Sequence, residues 1–314
     1  MAFFSVLIPV YNQVGKMDAC IASLNAQSFT DLEIIMVDDG STDASYEMLC
    51  GFEKKDPRIR VIRQEKNSSL VGARYTGMQN ATGEYVFILD SDDCIAENAF
   101  EILHDRLVKT RPDILRFGYR SDPAGQETPP PPSKDVLASI YEAKIPPAIW
   151  KNCYARSVTD KLVKYTKPFY CNMSEDVYFS TVLFTFAEKV DSIDDILYFY
   201  DSGTGMSSAT NSSVKTLAKF RKSLKDTVTA GEHMLSFLNE FAPERIETAK
   251  VAINRMNRFV FTQHVAFETD YRKIVEYAYE YRLQGLEEVY DQICNEGLKK
   301  KVLYEVGLYD PKKG

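Results

Sequence analysis

No stretch of the 314 residues approaches the about 18 consecutive apolar residues that a membrane-crossing helix needs. The first residues run straight into a strand-like segment, without the charged-then-apolar pattern of a secretory leader, so a cytoplasmic location is the expectation. Basic charge is also scarce: 38 lysines and arginines face 45 acids, a formal net charge of −7. Nucleic-acid binding needs a basic footprint, so a nucleic-acid partner is excluded. The six cysteines (20, 50, 94, 153, 171, 294) show no C-x-x-C spacing and no nearby histidine, which argues against a zinc site or a disulfide frame. Only three histidines occur, His104, His233 and His264, all within helical patterns away from strand ends, so histidine chemistry is not expected.

What the chain does have is strands that end in acids. Tyr85 to Leu89 is a continuous apolar run, the pattern of a strand buried on both faces of a parallel sheet, and it stops in Asp90, Asp92 and Asp93. Such a cluster cannot lie in an apolar core without a cation. It belongs at the carboxyl edge of the sheet, where open α/β folds hold ligands. Oxygen ligands at this density suit Mg²⁺ or Mn²⁺, which share their shell with substrate phosphates. The competing reading is a solvated acidic turn in which Asp93 caps the next helix. A second buried strand, Glu33 to Val37, ends the same way in Asp38 and Asp39, and Ser41 or Thr42 is placed to cap a helix at 43–54. The first strand, Phe3 to Val10, brings Tyr11 and Asn12 to that edge, where a ring beside a carboxylate can stack on a base while the acid accepts from a ring N–H. Arg74, on a helix over 70–81, is placed to meet a diphosphate, because a guanidinium matches phosphate oxygens bidentately. Glu175 and Asp176 precede a helix from Val177 to Phe186. They read either as acids favoured by the helix dipole or as a second acidic station.

Strands and helices alternate through residue 119, which predicts an α/β fold with a mostly parallel sheet and right-handed crossovers. Residues 121–134, with Pro129 to Pro132, read as a surface loop. From 213 the pattern turns helical, with Pro243 separating one helix from the next and further helices expected over 246–266, 270–283 and 285–306. These long helices either cover the sheet or form the face of a homodimer. Residues 298–314 carry five lysines against Glu305 and Asp310, with Val302, Leu303, Val306 and Leu308 among them. That mix is compatible with peripheral contact to an anionic membrane surface, a solvated tail being the alternative. Trp150, the sole tryptophan, either stacks on a sugar ring or fills the core.

Pro9-Val-Tyr-Asn12, Val37-Asp-Asp-Gly-Ser-Thr-Asp43, Gly72-Ala-Arg74, Ala81-Thr-Gly-Glu-Tyr85 and Leu89-Asp-Ser-Asp-Asp93, in this order, resemble the family 2 glycosyltransferases. The resemblance covers about the first third of the chain, extends to Ser174-Glu-Asp176 and fades in the last hundred residues. It implies the Rossmann-like GT-A fold, a mostly parallel sheet flanked by helices. A catalytic domain would span 1–212, with a nucleotide-sugar half over 1–120 and an acceptor half over 135–212, ahead of a helical region over 213–314. It also implies metal-dependent, inverting transfer of a sugar from a UDP-sugar donor to a hydroxyl of a saccharide or lipid-linked saccharide acceptor, in the manner of bacterial surface-polysaccharide synthesis. Carried over residue by residue, Tyr11 and Asp39 contact uracil with Pro9 and Val10 lining the base, and Arg74 approaches the phosphates. Asp90 and Ser91 lie at the donor ribose or a metal-bound water, and Asp92 is the ligand of Mn²⁺ or Mg²⁺. Asp176 is the general base, supported by Glu175. Three features depart from the family pattern. Tyr75 stands where asparagine is common, the loop Asn67 to Gly72 lacks an early glycine, and Trp150-Lys151-Asn152 replaces the order Trp-Asn-Lys. A nucleotidyltransferase of similar layout is the alternative, though it would carry a basic glycine-rich loop where Tyr11-Asn-Gln-Val-Gly15 stands. A phospho-acceptor domain is the third class, but it would not explain the second acidic cluster.

Overall fold

The apolar runs that end in acids form the centre of one sheet. A computed structural model describes residues 2–122, 124–202 and 217–265. They fall in two compact units, one of residues 1–140 and 144–211, the other of 141–143 and 212–314.

In the first unit, strands β1 (Phe4–Val10), β2 (Leu32–Asp38), β3 (Ile59–Arg63) and β4 (Tyr85–Ile88) alternate with helices α1 (Asp18–Asn25), α2 (Ser45–Glu53) and α3 (Ser69–Asn80). Then come β5 (Cys94–Ile95), α4 (Ala99–Thr110), β6 (Ile114–Asp122), β7 (Gln126–Thr128) and α5 (Val136–Tyr141). A 3-10 turn at Ile149–Lys151 leads into β8 (Asn152–Ala155), α6 (Arg156–Tyr165), α7 (Glu175–Phe186) and β9 (Val190–Asp201). The sheet runs β3-β2-β1-β4-β8-β6-β9-β5, with β7 hairpinned onto β6. Strands β1 to β4 pair in parallel, as the alternation predicts. Strand β8 then inserts antiparallel between β4 and β6, which makes the sheet mixed, although β6 and β9 run with the first four strands. The GT-A fold expected from the resemblance is the one observed.

Every residue of β1 is buried, and its side chains feed a core with Phe87, Phe100, Leu103 and Phe117. Two glycines mark close approaches. A Cβ at Gly77 of α3 would lie 3.2 Å from Leu7 of β1, and one at Gly83 would lie 2.6 Å from the backbone nitrogen of Ser5. Helix α3 can therefore lie directly on the first strand.

The structure corrects two expectations, the cap of the second helix and the loop over 121–134, and decides between the alternatives for Asp93 and Trp150. Helix α2 begins after Ala44 without a side-chain cap; Ser41 instead accepts from the Asn12 N–H, because the loop after β1 needs that hydroxyl. Asp93 does not cap α4, whose N-cap is Asn98. Residues 121–134 are not all loop: Gly125, at φ +66°, turns the chain from β6 into β7. Trp150 lies in the core, stacked on Tyr198 at 4.5 Å and on Tyr200 at 5.3 Å.

Within the second unit, α8 (Leu217–Phe241) and α9 (Ile246–Val265) are joined through a 3-10 turn that starts at Pro243. Gly231 allows their close approach, since a Cβ there would lie 2.7 Å from Ile253. The helices expected over 270–283 and 285–306 and the lysine-bearing tail 298–314 lie outside the described residues. No helix among the described residues is long and apolar enough to cross a membrane.

Candidate functional site

Parallel pairing brings the acids together. Val10 is in register with Asp38, and Leu7 with Ile88, so Tyr11, Asp39 and Asp90 all emerge at the carboxyl edge of neighbouring strands. The loops there are stitched to each other. The Asp39 N–H donates to the Val10 carbonyl at 2.8 Å, and Asn12, at φ +54°, accepts from the Thr42 N–H at 2.9 Å. Pro9 and Val10 are buried beneath this edge, whereas Tyr11 is 43% exposed, with its ring free to meet a planar ligand.

The two acids after β2 have different surroundings. Asp38 is fully buried; it accepts from the Ser41 N–H and lies 3.4 Å from Arg63, so it organises the loop. Asp39 accepts at Oδ1 from both the N–H and the hydroxyl of Ser68, at 2.7 and 2.8 Å. Burial raises its pKa, with the Ser68 hydrogen bonds opposing.

The acids after β4 also divide. Tyr198 accepts from the Asp90 N–H at 3.1 Å and donates to Asp93 at 2.6 Å; the Asp201 N–H donates to the other Asp93 oxygen at 2.7 Å. Asp93 is thus a strut between this loop and β9, and burial with the neighbouring Asp90 charge pushes it up to about 8. Ser91 is buried between Asp90 and Asp92. Among the described residues Asp92 has no side-chain hydrogen bond to another residue. Burial and Asp90 raise it to about 6, with Lys16 in the loop after β1 opposing. Among the described residues no three His, Cys, Asp or Glu side chains are grouped to hold a metal. Asp93 is tied to Tyr198 and the Asp201 N–H, and Asp90 to Arg74, so Asp92 is the carboxylate of this cluster that the described residues leave for a cation. That fits a hard ion held by one or two carboxylates and completed by substrate oxygens, the usual mode of Mg²⁺.

Arg74 is only 2% exposed, and it joins the two acidic stations. One guanidinium nitrogen donates to Asp90 at 3.1 Å; another reaches Asp176 at 3.0 Å and Glu175 at 3.4 Å. Burial acts to lower its pKa, but the three carboxylates outweigh that and raise it. Glu175 and Asp176 open α7, and the segment before it is clasped to the start of α3. Ser69, at φ +75°, accepts from the Cys171 N–H at 2.9 Å, and Asn172 accepts from the Leu70 N–H at 2.9 Å. Burial and the Asp176 charge push Glu175 up to about 7; burial raises Asp176 too, with Arg74 opposing. Two carboxylates on one cation do not both ionise freely. Asp176 holds the shorter bond to Arg74, which opposes the rise that burial imposes on it.

The donor-side and base candidates Pro9, Val10, Tyr11, Asp39, Arg74, Asp90, Ser91, Asp92, Glu175 and Asp176 therefore lie at or beneath the carboxyl edge. Arg74 proves to be buried among carboxylates. The sequence reading misses the clasp of Ser69 with Cys171 and of Leu70 with Asn172, and the strut of Tyr198 with Asp93. Both join residues about a hundred positions apart, and neither leaves a local pattern.

The comparisons agree with this geometry. Residues 5–165 match the model of "Glycosyl transferase family 2", about half of the chain. An uncharacterized glycosyltransferase of Bacillus subtilis, EpsJ, is 30% identical over 209 residues, covering 62% of this chain and 60% of that protein. A poly(ribitol-phosphate) beta-glucosyltransferase of Bacillus spizizenii is 30% identical over 62% of this chain and 32% of that protein. The chain thus spans less than two thirds of the length of these curated relatives. Among solved structures, residues 1–349 of S. aureus TarS superpose with a TM-score of 0.67 at 17% identity, covering 98% of this chain and 88% of that one. The mannosyltransferase PcManGT of Pyrobaculum calidifontis, solved with GDP-Man and Mn²⁺, gives 0.56 at 14% identity, covering 98% and 88%. At these identities the superpositions speak for the fold alone, and it is the family match that places the protein: the chain belongs to glycosyl transferase family 2.

Proposed function

We propose that the protein transfers a sugar from a UDP-sugar to a hydroxyl of a saccharide or lipid-linked saccharide acceptor, with inversion at the anomeric carbon and with a divalent cation, Mn²⁺ or Mg²⁺. The observation that carries this reading is the bridge from Asp90 through Arg74 to Asp176, which fixes two acidic stations in one frame. An in-line displacement needs both: one side receives the departing diphosphate, the other takes the proton of the incoming hydroxyl.

On the donor side, Tyr11 stacks on uracil over Pro9 and Val10, and the second oxygen of Asp39 accepts from the base N–H. Asp90 and Ser91 meet the ribose. Asp92 would hold the cation, which when bound neutralises charge on the leaving diphosphate. The carboxylates around Arg74 occupy its terminal nitrogens, so its main part is to position Asp90 and Asp176. On the acceptor side, Asp176 takes the hydroxyl proton, and burial suits it to that task by raising its pKa. Glu175 supports it as its neighbour on Arg74. Curated relatives such as the poly(ribitol-phosphate) beta-glucosyltransferase point to surface-polymer synthesis as the setting.

The test is thermal stabilisation by UDP, CTP and acetyl phosphate with Mn²⁺, followed by mass spectrometry of products from a panel of UDP-sugars. Stabilisation by UDP above the other two supports the reading. Preference for CTP would indicate a nucleotidyltransferase, and a response to acetyl phosphate alone a phospho-acceptor domain.

A further inference from the structure

Two cations of the sheet unit, Arg116 and Lys151, are buried without a counter-ion. Arg116 of β6 is 3% exposed and Lys151 of the 3-10 turn is 6% exposed. Neither has a carboxylate within salt-bridge distance among the described residues. Arg116 donates one guanidinium nitrogen to the Pro131 carbonyl at 3.0 Å, and its other terminal nitrogen, fully buried, has no partner. Lys151 donates to the Pro146 carbonyl at 2.5 Å. Arg116 is in register with Asn152, the residue after Lys151, and its charge is felt at the Lys151 ammonium. The buried side-chain oxygen of Asn152 also lacks a partner.

The place of this pair gives it meaning. Ser180 of α7 donates to the Pro147 carbonyl at 2.7 Å, which holds the segment bearing Lys151 against the helix that starts with Glu175 and Asp176. Asp176 is the acid whose charge favours the Lys151 ammonium, but that acid already serves Arg74. Burial, reinforced by the Arg116 charge, brings Lys151 down to about 7. Burying two like charges that feel each other, with only backbone carbonyls accepting hydrogen bonds from them, is costly, since unpaired buried charge is among the largest costs a protein bears. An anion between them removes that cost.

We propose that Arg116 and Lys151 form an anion site on the acceptor side of Asp176, which takes a phosphate or carboxylate group carried by the acceptor. The inference rests on the reading of Asp176 as the acceptor-side base and names the class of acceptor that goes with it: an anionic one. A guanidinium with a free terminal N–H beside an ammonium suits the tetrahedral or planar oxygens of such groups. A neutral sugar would leave both cations unpaired.

The test uses the full chain with UDP and Mg²⁺ bound, so that the donor side is filled. Inorganic phosphate, glucuronate and, as the neutral control, glucose are titrated while thermal stability is followed. Phosphate or glucuronate stabilises the wild type, and which of them does so separates a phosphate-bearing acceptor from an acidic sugar. Lys151→Met and Arg116→Met weaken that response by roughly tenfold or more, the weight of one charge-assisted hydrogen bond, while UDP still binds. Without ligand, Lys151→Met is at least as stable as the wild type, because it removes an unpaired buried charge; a lysine with a merely structural role would lose stability. Should either variant fail to fold, Lys151→Gln and Arg116→Lys carry the comparison. No response to either anion in the wild type, or an equal response in the variants, overturns the site. If UDP fails to bind the wild type, the donor reading falls by itself, and the anion titrations without UDP still decide this proposal.

Discussion

Replacing Arg74 by methionine tests the bridge that the account depends on. The substitution keeps most of the side-chain volume and removes the one cation shared by Asp90, Glu175 and Asp176. Breaking a buried ion pair by removing one partner costs about 3–5 kcal/mol. The side chains of Asp90 and Asp176 are about a quarter exposed, and water will replace part of what they lose, so the expected loss is about 3 kcal/mol. Its pH dependence is the sharper signature. Glu175 already titrates near 7 in the folded chain, against an ordinary 4.5, so the folded state binds more protons than the unfolded one between those values. Stability therefore falls as pH rises through that window. Without Arg74 the attraction opposing burial is gone, and the pKa values of Glu175 and Asp176 rise further. The loss in Arg74→Met should then be small near about pH 5, where protonation relieves the uncompensated charge, and should grow steadily to about pH 8. Urea denaturation followed by the fluorescence of Trp150, the sole tryptophan and part of the sheet unit, reads this directly. A loss below about 1 kcal/mol that is equal at both pH values would be the behaviour of a surface pair and would refute the bridge.

Three further outcomes follow from the geometry. Tyr198→Phe strips a partner from buried Asp93 and from the Asp90 N–H, and should cost about 1–3 kcal/mol in the same urea assay; an unchanged midpoint would show that the strut carries no weight. Asp39→Ala should weaken UDP roughly tenfold or more and narrow its preference over other nucleotides, with equal UDP affinity by calorimetry as the contrary result. Asp92→Ala should abolish the enhancement of UDP binding by Mn²⁺ with the fold intact, and metal-dependent affinity at the wild-type level would reject Asp92 as the ligand.

The legible parts of the molecule were those whose cause is local. A buried strand is written as an apolar run, and its end as an abrupt change to acids, so β1, β2 and β4 and their carboxylates could be read directly. Strands β5 and β7, of two and three residues, are too short to show a period, and β8 exists because β4 and β6 leave a place between them. That long-range pairing turned an expected mostly parallel sheet into a mixed one. Arg74 was recognisable as a functional cation, but its partners lie 16, 101 and 102 positions away, and no spacing rule connects them. Lys151 and Arg116 were invisible for a related reason: burial of a charge is a property of the packed fold.

Asp176→Asn probes most directly whether two acidic stations held by Arg74 divide an in-line sugar transfer between them. The substitution preserves shape and removes only the capacity to take a proton. Measured with the UDP-sugar and acceptor that the product panel identifies, kcat should fall by about 10²–10⁴, the usual contribution of a positioned base, while UDP affinity hardly changes. Transfer at the wild-type rate by Asp176→Asn would contradict the account, leaving Asp176 as a helix-opening acid and Glu175 as the group to test in its place.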